Sequence, residues 1–277
     1  MSEQNDFGEQ TAIRIGAVTY FNARPLTFSL AELAPRMEII IDLPSRLADS
    51  LAAGRLDVAL VPSIEYFRNK GYTIVSDACV ACDGPVRSVK LFGRVPVERI
   101  ETLALDEGSR TSAAMTQIFL REQYGLQPQI ELLPIGAGIE DTAADAVMLM
   151  GDRGMAPPNG RFDFVWDMGR QWSQWAGLPF VFAMWIARPG VDLRAAERVL
   201  TAARDDGAAR LAEIARLEAA DLGLPEEECL AYLRDHLDFH LGPRQQEGLQ
   251  LFYDLATRHQ LAPAGVELVF YDQQVAG

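Results

Sequence analysis

The sequence predicts an α/β protein of two lobes with a ligand cleft between them. Three observations predict it. Short apolar runs alternate with helical segments over residues 13–92, the alternation restarts after Gly93, and the chain turns helical from Asp192 to about His259. Alternating strands and helices make a parallel sheet covered by helices, and such sheets bind ligands beyond the carboxyl ends of their strands. The expected division is residues 13–92 for the first lobe, 93–182 for the second, and 183–277 returning to the first. Residues 1–12 read as a disordered tail.

The elements follow in order. Ile13–Val18 is an apolar run broken by Asn22 and Pro25, which reads as a strand, a loop and a helix from about Pro25. Met37–Ile41 is a second strand. Pro44-Ser45 opens a helix with Ser45 as its cap, and Leu47, Leu51 and Leu56 form a partial apolar stripe. Val58–Val61 reads as a buried strand that Pro62 ends, with Ser63 capping the next helix. Thr73–Val80 is a strand. In the second half, Ile100–Leu105 is a strand, Asp106–Ser109 a turn, and Thr111–Tyr124 a helix stopped by Gly125. Ile130–Leu133, Ala146–Met150 and Phe180–Ile186 are further strands. Gly223-Leu224-Pro225 and Gly242-Pro243 divide the helical tail into three, and Val266–Tyr271 reads as a last strand.

Composition narrows the function. A net charge of -14 opposes non-specific nucleic-acid binding and a polybasic membrane surface, both of which need clustered Lys and Arg. An anionic ligand then requires a locally positive site. The polar, acidic opening residues lack a signal-peptide pattern, and the longest apolar stretch, Leu178–Ala187, is about half of a membrane span. The expected location is the cytoplasm. The oligomeric state stays open between monomer and homodimer. Cys79 and Cys82 match C-x-x-C in form only, because residues three apart on a strand face opposite ways and no second Cys/His pair accompanies them. His236 and His240 stand four apart in a helical segment without the H-E-x-x-H pattern, so they read as packing or surface residues, and no metal is expected.

Four segments have the residue types for a site. Thr19–Leu26 places Asn22, an amide donor and acceptor, and Arg24, a carboxylate partner, where a strand gives way to a helix. The competing reading is a capped turn. Gly84–Phe92 is a Gly-Pro turn followed by alternation that sets Ser88 and Lys90 on one face. An ordinary strand with a polar edge explains it equally. Ser109-Arg110-Thr111-Ser112 gathers three hydroxyls and a guanidinium at a helix start, an anion cradle where a single hydroxyl would be enough for capping. Met150-Gly151-Asp152 closes a strand, with Asp152 either at the cleft or capping the next segment. The aromatic stretch Trp166–Trp185 reads mostly as core. With no histidine near these segments a Ser-His-Asp nucleophile is not expected, and no glycine-rich phosphate loop signals a nucleotide cofactor.

Together these motifs resemble one family, the chorismate dehydratases of the futalosine route to menaquinone. The resemblance is carried, in order, by Thr19-Tyr20-x-Asn22-x-x-Pro25-Leu26, Gly54–Ser63 with Glu65-Tyr66, Gly84-Pro85-Val86-x-Ser88-Val89, Leu105-Asp106-x-x-Ser109–Ser112, Gly151-Asp152, and Trp175-x-Gly177–Ala183. The resemblance implies the two-lobed, periplasmic-binding-protein-like (type II) fold and conversion of chorismate to 3-[(1-carboxyvinyl)oxy]benzoate and water. Asn22 and Ser88 are then the expected catalytic residues. Arg24, Ser109, Arg110, Thr111, Ser112, Gly151 and Asp152 are the expected substrate-binding residues, and chorismate is the partner. Aromatisation drives the reaction, so no cofactor is expected. No strong base is evident among the motifs, which leaves the substrate's enolpyruvyl carboxylate to remove the proton. Two alternatives remain at this point. One is the related dihydroxynaphthoate-forming enzyme, whose Pro-Asn-Asp opening pattern is not found here, and the other is a solute-binding module without chemistry.

Overall fold

The computed structural model describes residues 12–155 and 160–271, so the expected tail falls almost entirely outside the described residues. From the N-terminus run β1 (Arg14–Ala17), α1 (Arg24–Thr27), α2 (Leu30–Leu33), β2 (Glu38–Ile41), α3 (Pro44–Ala52), β3 (Val58–Pro62), α4 (Ser63–Arg68) and β4 (Thr73–Cys82). Next come β5 (Val89–Gly93), β6 (Thr102–Asp106), α5 (Arg110–Tyr124), β7 (Gln129–Leu133), β8 (Ala146–Met150), α6 (Asp152–Met155), β9 (Phe164–Asp167) and α7 (Met168–Ala176). The chain finishes with β10 (Phe180–Ala187), α8 (Arg194–Ala209), α9 (Leu211–Leu222), α10 (Glu226–Asp235), β11 (Asp238–His240) and α11 (Pro243–Arg258).

Two mixed sheets build two lobes. The first has the order β11-β4-β10-β3-β1-β2, and the second β7-β6-β8-β5-β9. β3 is buried at every residue, as its unbroken apolar run requires, and pairs parallel with β1. The expected all-parallel order fails at β10, which inserts antiparallel between β3 and β4. Short alternating motifs do not encode that insertion, because β10 arrives from the far side of the second lobe. Its residues Phe180, Val181 and Met184–Ala187 are buried, and Trp172 and Phe252 pack edge-on against Phe180. Each such large apolar side chain contributes about 1.5–3 kcal/mol through its burial.

Several local expectations change. β5 joins β8 and β9 in the second sheet, ahead of the boundary expected after Phe92, while β10 begins the return to the first sheet before Phe182. Ser45 and Ser63 lie inside their helices rather than capping them, and Ser63 Oγ instead donates to the Val181 carbonyl at 2.7 Å. A further break at Arg210 splits the tail into four helices. There Gly207 of α8 lets the helix approach α1, since a Cβ at 207 would fall 1.9 Å from the Pro25 carbonyl oxygen. Residues 266–270 form no strand and make a single bridge, Ile74 to Phe270, while the Tyr66 hydroxyl takes up the Glu267 carbonyl and Val269 N–H. His236 ends α10 and His240 sits in β11, so they share no helix. His236 meets the Pro85 carbonyl and His240 meets Asp77.

The three cysteines are buried and free, and burial pushes the thiols of Cys79 and Cys82 up, away from a reactive thiolate. No helix among the described residues is long and apolar enough to cross a membrane.

Candidate active site

A cavity opens between the two sheets. Its apolar walls come from both lobes: Val18, Leu60, Val80 and Phe182 from the first, Val89 and Met150 from the second. Its polar groups come from three places.

The first is the turn after β1, where Tyr20 and Asn22 line the cavity. A 3₁₀ turn over Phe21–Ala23 presents Asn22, anchored by the buried Phe21 and Ala23 on either side. The Asn22 amide is half-buried and makes no side-chain hydrogen bond among the described residues. Donor and acceptor therefore both remain for a ligand.

The second is the loop before β5. Ser88 is buried at the cavity wall. Asp167, the N-cap of α7, accepts hydrogen bonds from the Val86 and Arg87 amides at 2.9 and 2.6 Å and from Arg170 N–H at 3.0 Å. Arg87 adopts φ +62°, a conformation a non-glycine residue holds only when its surroundings impose it. From the other side, the Gly151 N–H donates to the Ser88 carbonyl at 2.9 Å, with Gly151 itself at φ +70°. The backbone of Ser88 is thus fixed on both sides.

The third is the N-terminus of α5. Ser109, Thr111 and Ser112 are buried beside the cavity, and Arg110 lines it. The first-turn N–H groups of Arg110, Thr111 and Ser112 have no carbonyl of the preceding turn to bond, and the helix dipole adds positive potential there. Buried Asp106 stiffens the turn below by accepting from Gly108 N–H at 3.0 Å and pairing with Arg153 at 2.5 Å. The hydroxyls of Ser109 and Ser112 have no partner among the described residues, whereas Thr111 Oγ1 accepts from Ile64 N–H of the first lobe at 3.2 Å. The arrangement suits an apolar ring carrying carboxylates: a greasy slot, an anion-binding helix end, and an amide and a hydroxyl facing it.

The model of a family described as menaquinone biosynthesis matches residues 13–258. The chorismate dehydratase of Thermus thermophilus is 31% identical over 260 residues, which span 86% of this chain and 93% of the relative. The chain belongs to the menaquinone biosynthesis family. Among solved structures, a protein of Archaeoglobus fulgidus superposes with a TM-score of 0.73 at 14% identity, covering 91% of this chain and 99% of its own. The alkanesulfonate-binding protein of Xanthomonas axonopodis gives 0.62 at 15% identity, covering 91% and 94%. The periplasmic aliphatic sulphonate binding protein of Escherichia coli gives 0.56 at 16% identity, covering 92% and 89%. These likenesses show the fold, which is the two-lobed periplasmic-binding-protein-like one.

This member of the menaquinone biosynthesis family brings Asn22, Ser88, Ser109, Arg110, Thr111 and Ser112 to one cavity. Arg24 is elsewhere: its guanidinium pairs with Glu218 of α9 at 2.6 Å and lies over the Phe28 ring. The cavity walls do not include it. Gly151 is placed behind Ser88 rather than on the cavity wall, and the Asp152 side chain lies outside the described residues. Lys90 is not among the residues lining the cavity, and burial lowers its pKa against the pull of Asp167. Sequence reasoning missed Asp167, and also Tyr232, whose hydroxyl donates to Ser88 Oγ at 2.8 Å. The turn pattern Asp167-Met168 is an N-cap signal, but nothing local connects it to Val86.

Proposed function

We propose that this chain dehydrates chorismate to 3-[(1-carboxyvinyl)oxy]benzoate, as the opening step of the futalosine route to menaquinone. The observation that carries the reading is the convergence of Asn22, Ser88 and the α5 N-terminus on one apolar cleft, in a chain similar over most of its length to a chorismate dehydratase.

The chemistry fits those groups. The ring C–H beside the enol ether breaks, and its proton passes to the enolpyruvyl carboxylate of the same molecule. The electron pair delocalises toward the conjugated ring carboxylate. The neighbouring C–O bond then breaks, and the hydroxyl leaves with the proton as water. The ring becomes aromatic, which supplies the driving force. Ser109, Ser112 and the first amides of α5 hold the ring carboxylate and stabilise its growing charge. Asn22 holds the enolpyruvyl carboxylate or the leaving hydroxyl, and Ser88 donates a hydrogen bond to the departing oxygen. The work of the protein is positioning and fixed electrostatics in a site that closes away from water.

On this reading the reaction runs in the cytoplasm. Incubation with chorismate tests the activity through the appearance of an aromatic product. An analogue with its enolpyruvyl carboxylate masked as an amide tests the base. Under this reading it binds through the ring carboxylate and does not react, and turnover of the amide would contradict it.

A further inference from the structure

Tyr232 of α10 reaches Ser88 across 144 residues of sequence, and its hydroxyl donates to Ser88 Oγ at 2.8 Å. Both residues are buried, each at 1% exposure. The Tyr232 ring stacks on Phe21 with centroids 5.6 Å apart and planes at 25°, and Phe21 is the neighbour of Asn22. One side chain from the helical tail therefore touches both the serine at the cavity and the turn that presents the amide.

The direction of the hydrogen bond matters. A hydroxyl has one proton and two acceptor positions. With Tyr232 donating, one Ser88 lone pair is filled and its proton is left to give. Its acceptor within the protein is the Val86 carbonyl at 3.4 Å, longer than an ordinary O–H···O bond. A phenol is also a stronger donor than an alcohol, and donation into a hydroxyl polarises its own O–H. We propose that Tyr232 is a positioning residue of this reaction, whose hydroxyl fixes Ser88 as a hydrogen-bond donor toward the substrate. The inference rests on the reading of Ser88 given above.

The test is a double-mutant cycle on chorismate turnover. Tyr232→Phe removes the hydroxyl and keeps the ring stack on Phe21. It should lower kcat by about tenfold and shift KM by less than about twofold. In a Ser88→Ala background the same change should cost nothing further, because the group it acts through is gone. Full activity of Tyr232→Phe, or losses that multiply in the double variant, would overturn the inference. Wild-type kcat in Ser88→Ala alone would instead remove Ser88 itself from the reaction. A second variant covers a folding defect in Tyr232→Phe: 4-aminophenylalanine at 232 retains a donor at the ring tip and should hold kcat within about threefold of the wild type. A tenfold loss in that folded, donor-bearing variant also overturns it.

Discussion

The Arg110 guanidinium, at the start of α5 in the second lobe, grips the Asp49 carboxylate of α3 in the first through two hydrogen bonds of 2.9 and 3.0 Å. Glu65 of α4 stands 3.6 Å from the same guanidinium. The side chain at the head of α5 is thereby committed to the opposite lobe, and the positive potential facing the cavity comes from the helix end itself. Thr111 adds a second tie through Ile64 N–H. These contacts hold the cleft walls together.

Asp49→Ala should therefore raise KM by about three- to fivefold and leave kcat within about twofold, since a solvent-exposed ion pair contributes at most about 1 kcal/mol. Steady-state kinetics at low and high salt check this, and the defect should shrink as salt rises. Tighter substrate binding in the variant would mean that Arg110, once released, binds substrate directly.

Asn22→Ala should reduce turnover by about a thousandfold while leaving the thermal melt unchanged. The amide makes no hydrogen bond to the described residues, so the fold loses little, whereas one preorganised donor is worth about a hundred- to a thousandfold in rate. Near-normal activity would remove Asn22 from the mechanism.

How much of this was legible follows the range of the interactions. The α5 N-terminus is local: Ser109–Ser112, the turn before it and the Gly125 stop with its φ of +67° all lie within one stretch of chain. Strand and helix positions were legible wherever one apolar run sufficed, as in β3 and β8. The support of Ser88 was not, because Asp167 lies about eighty residues from Val86 and Tyr232 farther still, and only tertiary packing brings them together. Arg24 looked like a carboxylate partner and is one, but the carboxylate is Glu218, in a helix whose docking no motif encodes. The three-residue β11 is too short to leave a period in the sequence.

Asp57 gives a stability prediction with a defined pH window. Burial would raise its carboxyl, but hydrogen bonds from the Arg14 side chain and backbone, and from Arg188, outweigh it and hold the pKa at about 2. A depressed carboxyl stabilises the fold above its unfolded pKa of about 4 and loses that contribution as pH falls toward 2. Asp57→Asn should lower stability by roughly 1–2 kcal/mol at neutral pH, allowing for the solvent around both guanidinium groups. The gap to the wild type should close between about pH 4 and pH 2. A gap independent of pH, in denaturant titrations across that range, would contradict the assignment.

Exhaustive dialysis against a chelator should leave turnover unchanged, because aromatisation and the substrate's own carboxylate supply the driving force and the base. Loss of activity that a divalent metal restores would contradict this and return attention to His236 and His240.

Dehydration in this cleft is checked by incubating the purified wild-type chain and its Asn22→Ala variant with chorismate and following product by absorbance and mass. The wild type should yield an aromatic product lighter than chorismate by one water, and the variant almost none. Chorismate recovered intact from the wild type, bound or unbound, or equal product from both proteins, would contradict it.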